Sequence, residues 1–512
     1  MHTDCRFMPD NSLIEGDICI VGAGAAGISM ALELGLSHHK IILLEGGGFS
    51  YEEKTQDLNS GTSSGQNYFP LRSARLHYFG GTTGHWSGFC SPLDPIDFEK
   101  REWVNDSGWP ITKKDLDPYY EKAQPLLELG PYDYSVSYWK KDDPDALSLV
   151  TDQTNVWNKM WQFSPPTSFG KKYRKPVLDS KNIHLYTYAQ VTEIKTNEEI
   201  NTVTELTLRN HAGKTHRVKA KRFVLACCSI QNARLLLASN KQASKGIGND
   251  RDLVGRYFME HLEVKSAELW LTRPFPMNLY HLDFANSKPR AELAITAAAQ
   301  KKYGVLNGTS SLDALKNARG RKPIIELWSD PDPRKSHDNL MGAFDSLPDP
   351  AKVKEDKSLD AAYEMFTRIE QSPNPASRIT LGKDTDSFGV PYPHLHWDLT
   401  ELDKRSIRNI YRIIGREVGR SGVARVRLME YLRDEKDLSW PSFTGGGWHH
   451  MGTTRMHDDP AKGVVDKNCK VHGLSNLYIA GSSCFTTAGA ANPTLSVVAL
   501  SLRLAAYLSS NT

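Results

Sequence analysis

At 512 residues the chain is too long for one small core and long enough for two domains, or for one large domain carrying a second layer. Apolar residues at 39% and charged residues at 24% match ordinary globular composition, which excludes disorder, collagen and coiled coil. Lys plus Arg is 63 against 60 for Asp plus Glu, so a formal +3 provides no general attraction to nucleic acid or anionic lipid, and seven cysteines without a Cys-x-x-Cys pair exclude a disulfide scaffold or zinc ribbon.

Residues 1–15 contain Asp4, Asp10 and Glu15 and no uninterrupted apolar run, so no secretory signal is read there; nowhere does the chain approach the roughly 20 apolar residues that span a bilayer. Asp17-Ile-Cys-Ile-Val21 is a short β-branched run. Gly22-x-Gly24-x-x-Gly27 and the helical spacing of residues 28–36 follow it, which reads as strand, tight turn and helix. Lys40-Ile-Ile-Leu-Leu-Glu45 reads as a second parallel strand buried on both faces, closing a βαβ unit. In such a unit the first glycine permits the sharp turn, the second lets a pyrophosphate approach the backbone, and the third lets helix and strand pack, while the helix N-terminus attracts the anion. Glu45 would accept hydrogen bonds from a ribose diol, which argues for adenosine without a 2'-phosphate. FAD and NAD both stay open on this motif.

Residues 46–81, rich in Gly, Ser and Tyr, are expected to be extended and to lie over a ligand or another domain, because long loops are usually functional. A helix is expected over 115–129, antiparallel strands over 189–195 and 205–209, and a further buried strand and helix over 222–227 and 230–238. The pattern then changes to a strand at 265–272 and a charged, Pro-rich surface stretch at 319–360. In that stretch Arg319-Gly-Arg-Lys322 reads as solvated surface, with docking of a negatively charged electron acceptor as the alternative. The start Thr400-x-x-Asp403 resembles a capping box and opens a helix over 400–418. A strand at 477–480 and a buried helix at 495–508 close the chain. Asn307-Gly-Thr309 fits a glycosylation sequon and carries no weight. His394 and His396 alternate on one expected strand without a third ligand, so they read as exposed strand histidines and no metal site is expected. Cys227 and Cys228 read as core packing.

Three blocks bear on the cofactor: Phe79-Gly-Gly-Thr-Thr-Gly-His85-Trp86, Gly446-Gly-Trp448-His449-His450-Met-Gly-Thr-Thr-Arg455, and Gly489-Ala-Ala-Asn492-Pro-Thr494. At these blocks the sequence resembles the glucose-methanol-choline (GMC) flavoprotein oxidoreductases. Ser107-Gly-Trp-Pro-Ile-Thr112, Cys228-Ser-Ile-Gln-Asn-Ala-Arg, Val254-Gly-Arg-Tyr-Phe-Met-Glu-His261 and Ser377-Arg-Ile-Thr-Leu381 extend the resemblance over almost the whole chain. Within the family it is most similar to the branch of pyranose oxidases, glycoside 3-oxidases and catalytic subunits of bacterial sugar dehydrogenases. The fold implied is α/β. A Rossmann-like FAD-binding domain is expected from discontinuous segments, 1–110, 175–262 and 453–512. An inserted α+β substrate domain and cover, with an antiparallel sheet, is expected from 111–174 and 263–452.

The resemblance implies FAD as cofactor, with Gly22, Gly24 and Gly27 on the pyrophosphate, Glu45 on the ribose and the Val191 backbone near the adenine. Gly81 and Thr83 belong to the flavin-side block with His85 and Trp86, and Gly481, Pro493 and Thr494 would lie along the flavin. His85 matches a histidine that carries a covalent flavin link in fungal pyranose oxidases, but Gly84 departs from that pattern, which favours non-covalent contact. Oxidising an alcohol removes a hydroxyl proton and a hydride from the same carbon; imidazole, with an unperturbed pKa of about 6.5, suits the proton. The resemblance places that base at His449, with Asn492 holding the same substrate oxygen. His450 is a secondary catalytic candidate and otherwise a packing residue, and His261 reads as structural.

The activity implied is oxidation of a secondary ring hydroxyl of a sugar or glycoside, at C3 first and C2 second. Alternatives are a GMC dehydrogenase of another polyol or sugar acid, a non-redox lyase of the same fold, a flavin-stabilised interaction subunit and a NAD-dependent enzyme. No haem-attachment or iron-sulfur spacing occurs, so the electron acceptor would be a separate cytochrome or quinone, or O2. A small escort subunit fits that picture. The location expected is cytoplasmic, or periplasmic if the chain is exported with a signal-bearing partner.

Overall fold

The run Ile41–Leu44 is buried at every position, and Ile18 to Val21 are buried beside it, so both segments satisfy their backbone as inner strands covered on both faces. The computed structural model describes residues 1–273, 275–282, 289–314 and 362–510; the Arg319 to Lys322 run and the stretch 319–360 lie outside them. The first sheet runs in the order His2–Asp4, Ile183–Thr187, Ile41–Leu44, Leu13–Val21, Thr215–Leu225, Val203–Arg209, Gln190–Thr196. Its first five strands pair in parallel, while the last two join as an antiparallel meander. Thr215–Leu225 serves both parts. Its start pairs antiparallel with Val203–Arg209, and its end runs parallel to Leu477–Ile479, so a segment from near the C-terminus returns to this sheet.

Helix Ala25–Leu34 packs on the terminal helix Pro493–Ser510, which in turn packs on Lys113–Leu126. The second sheet is antiparallel throughout, in the order Ala424–Leu428, His261–Leu271, Ala362–Glu370, Gly308–Ala314, Arg290–Ile295, Val156–Phe163, Phe89–Cys90, with Gly445–Gly446 paired to the start of His261–Leu271. Helix Glu401–Arg420 covers it. Ile407, Ile410, Tyr411, Ile414 and Val418 form its buried stripe, and Thr400 and Asp403 close its first turn in a capping box, with Asp403 accepting from the Thr400 N–H.

Two expectations are corrected. Residues 46–81 are not simply extended: they contain the short helix Glu53–Gln56 and the strand Thr62–Gly65, which pairs in parallel with Pro391–Trp397. Both elements are shorter than the window over which periodicity can be read. His394 and His396 are half-buried, bonded to the hydroxyls of Thr62 and Ser64 across that pairing. Among the described residues no group of three His, Cys, Asp or Glu could hold a metal, no helix is long and apolar enough to cross a membrane, and all seven cysteines are free. Asn307 of the sequon is fully buried and its side chain donates to Asp97 and Asp94.

Candidate active site

The turn after Leu13–Val21 is shaped for a ligand. Gly22 sits at φ +100°, where a side chain is strained, and a Cβ on Gly27 would lie 1.9 Å from the Gly22 carbonyl oxygen. At Gly24, by contrast, a Cβ would meet nothing within 4 Å. Gly24 caps helix Ala25–Leu34 with no side-chain hydrogen bond, so no capping side chain occupies the start of that helix. The block Phe79 to Trp86 closes over it: Gly80 N–H donates to the Ala23 carbonyl at 2.8 Å, and a Cβ on Gly81 would come within 3.3 Å of the Gly24 Cα. These features fit a pyrophosphate held by backbone amides.

Glu45 is buried at the end of Ile41–Leu44 and accepts from the N–H groups of Ala23 at 3.1 Å and Gly47 at 2.9 Å. Burial raises its pKa and those bonds oppose the rise. Each oxygen keeps a second lone pair, so a ribose diol fits beside the turn. The Ala189 N–H donates to the Glu45 carbonyl at 2.8 Å, which brings the edge strand carrying Val191 to the same end of the sheet. Thr83 donates to the Gly80 carbonyl and accepts from the Phe169 N–H, fixing the 3-10 turn Gly81–Gly84. His85 is buried at its end, and Trp86 is tied to the Thr167 carbonyl at 3.1 Å. Gly481, at φ +100°, follows Leu477–Ile479 and lies over Ala26 of the first helix, while Pro493 and Thr494 open the terminal helix.

His449 and Asn492, 43 positions apart in sequence, meet: the Asn492 amide nitrogen is 3.2 Å from His449 Nε2. Trp448, at φ +55°, turns the chain just before His449, and its ring stacks on Phe69 with centroids 4.3 Å apart. The Asn492 Oδ1 is buried without a hydrogen-bond partner in the protein, and such an atom is costly unless a ligand satisfies it. On its other side His449 Nδ1 lies 2.9 Å from His261 Nδ1, and His261 Nε2 lies 2.9 Å from the Gly489 carbonyl oxygen. Burial holds His449 well below the ordinary imidazole range and lowers His261 to about 3. Burial thus favours the neutral form of both rings.

His450 turns another way, against Phe258 and Tyr68, with Nε2 3.8 Å from Glu260 Oε1. Burial lowers its pKa to about 3. Glu260 itself is fully buried; it accepts from the Tyr68 hydroxyl and from the His449 backbone N–H at 2.8 Å, and burial pushes its carboxyl up to about 8. Sequence reading assigned no chemistry to Glu260 or Tyr68 and read His261 as structural. The available signal was the adjacent pair Glu260-His261 in a block already quoted for its resemblance.

Beyond His261, one face of the second sheet carries a chain of charge, buried at Arg290 and Glu292 and partly buried at Glu263 and Arg368. Arg368 Nε donates to Glu263 at 3.0 Å, Arg290 Nη2 donates to Glu292 at 3.0 Å, and the Thr309 hydroxyl donates to Glu292 at 2.6 Å. Glu263 and His449 are neighbours, since a Cβ on Gly447 would meet His449 Nδ1 at 2.5 Å and Glu263 Oε1 at 3.0 Å.

Residues 373–501 match the GMC oxidoreductase family. The chain is 24% identical to the fructose dehydrogenase large subunit of Gluconobacter japonicus, covering 97% of this chain and 98% of that one. It is 33% identical over 123 residues to a C-glycoside 3-oxidase of Arthrobacter globiformis, a match covering 23% of this chain and 21% of the relative. The formate oxidase of Aspergillus oryzae RIB40 shares the fold at a TM-score of 0.57 and 18% identity, with 98% of this chain and 99% of that chain covered.

Proposed function

We propose, from the premise that this chain is a GMC-family oxidoreductase acting on CH–OH groups, that it oxidises a secondary ring hydroxyl of a sugar or glycoside to the ketone, at C3 first and C2 second. The observation that carries the reading is the pairing of His449 Nε2 with the Asn492 amide at 3.2 Å, beside an Asn492 Oδ1 that has no protein partner. FAD is the cofactor this family implies, and when bound it takes the hydride. His449 takes the hydroxyl proton, and the Asn492 N–H, now bonded to His449, turns to the substrate oxygen and holds the developing alkoxide.

The charged face from Glu263 and Arg368 to Glu292 and Arg290 favours a polyhydroxylated substrate, because each hydroxyl presents a donor and acceptors that such groups can pair. The fructose dehydrogenase relative is named as a large subunit, which supports a partner subunit here as well, a small escort if the chain is exported, with a cytochrome, quinone or O2 as the electron acceptor.

Anaerobic mixing of the FAD-loaded protein with a panel of sugars and glycosides tests the reading through the visible flavin absorbance. A glycoside should bleach the flavin, and His449→Ala should slow that bleaching by about 10²–10⁴-fold, the contribution of a positioned base. Bleaching by simple primary alcohols alone would remove the sugar reading, and unaltered bleaching in the variant would remove His449.

A further inference from the structure

We propose that His261 is the positioning residue that fixes His449 in the tautomer with its hydrogen on Nδ1, leaving the Nε2 lone pair for the substrate proton. The argument is a count of donors and acceptors around a closed chain of hydrogen bonds. A carbonyl oxygen only accepts, so the 2.9 Å contact with Gly489 puts the His261 hydrogen on Nε2. A neutral His261 then presents a lone pair at Nδ1. The 2.9 Å contact between the two Nδ1 atoms therefore needs the hydrogen on His449. That leaves His449 Nε2 as an acceptor, which agrees with the Asn492 amide nitrogen donating to it at 3.2 Å.

The opposite polarity fails. With the hydrogen on His449 Nε2, two nitrogen lone pairs would face each other at 2.9 Å in a buried site. The chain starts at the Gly489 carbonyl and ends at the Asn492 side chain, so one short turn supplies both ends. Rings crossing at 77° with centroids 4.9 Å apart hold the edge of His449 in place. When His449 takes the substrate proton, its Nδ1–H stays on His261, which accepts without itself gaining a proton. The neighbouring ion pair is Arg368 with Glu263, and the Glu260 carboxyl accepts from the His449 backbone rather than its ring.

This inference rests on His449 being the base, and one of its two readouts does not. In FAD-loaded protein labelled with [15N]histidine, with the His449 signal assigned by its loss in His449→Ala, the imidazole nitrogens should report hydrogen on Nδ1 and a lone pair on Nε2. His261→Gln keeps the polarity, since an amide both accepts and donates, and should keep that pattern and most of kcat. His261→Phe removes the acceptor and should lower kcat by about 10–100-fold with KM little changed, while His449 shows hydrogen on Nε2. Hydrogen on Nε2 of His449 in the parent protein overturns the proposal. So does His261→Phe with parental kcat and a parental nitrogen pattern. If His261→Phe only lowers Tm and FAD loading, and His261→Gln does the same, the residue is structural and the proposal falls. If His449→Ala bleaches the flavin at the parental rate, the base assignment fails separately, and the nitrogen pattern still decides the tautomer.

Discussion

Glu260 illustrates how one buried side chain can set conditions for a site it does not touch through its own chemistry. Its carboxyl holds the His449 backbone N–H and the Tyr68 hydroxyl, and Glu263 is the nearby negative charge. Burial raises its pKa from 4.5 to about 8, so the folded protein binds this proton more tightly than the unfolded chain. Stability from this group is complete below pH 4.5 and is lost as pH rises towards about 8. Glu260→Gln, which keeps a neutral side chain at every pH, should flatten the fall in Tm across that interval. An equally steep fall in the variant would show that another group controls it. At this scale the motif residues His449 and Asn492 were legible because each sits in a short block with matching neighbours. His261, Glu260 and Tyr68 were not, since their roles arise from contacts such as the one linking positions 188 apart.

The turn between Leu13–Val21 and helix Ala25–Leu34 was legible as an element, because three glycines with different duties sit at fixed offsets after a strand. The structure separates those duties. Gly27→Ala would drive a methyl group onto the Gly22 carbonyl, 1.9 Å away, so it should prevent both the tight turn and FAD loading. Gly24→Val points its side chain into open space, so the chain should fold with parental circular dichroism yet purify without visible flavin absorbance. Flavin retained in Gly24→Val would mean that the pyrophosphate does not approach there. Other elements were harder to read. Glu53–Gln56 and Thr62–Gly65 are four residues each, too short to show a period, and the second exists only because Pro391–Trp397 lies beside it.

Across the whole molecule, segments far apart in sequence are fastened to one another by buried contacts. Arg101, in the segment after Phe89–Cys90, makes a bidentate pair with Glu370 at the end of Ala362–Glu370, at 2.6 and 2.7 Å, and both side chains are fully buried. Removing one partner strands the other charge, so Arg101→Leu should cost about 3–5 kcal/mol in denaturant unfolding, and Arg101→Leu with Glu370→Leu should recover most of it. Loss no greater than that of a surface substitution would show that the pair contributes little.

From its residues alone the chain determined what depends on neighbours in sequence: the glycine turn after Val21 and the capped helix starting after Thr400, while the pairing of His449 with Asn492 was expected only from the resemblance of their blocks. Local spacing dictates backbone conformation and which groups share a turn, and that information survives without a fold. Only the tertiary structure decided which nitrogen of His449 is free. That depends on the register setting His261–Leu271 against Gly445–Gly446, on the bridge between Met259 and Met451, and on the Gly489 carbonyl facing His261. Hydrogen-bond polarity is a property of groups in contact, and those contacts exist only once distant segments have packed.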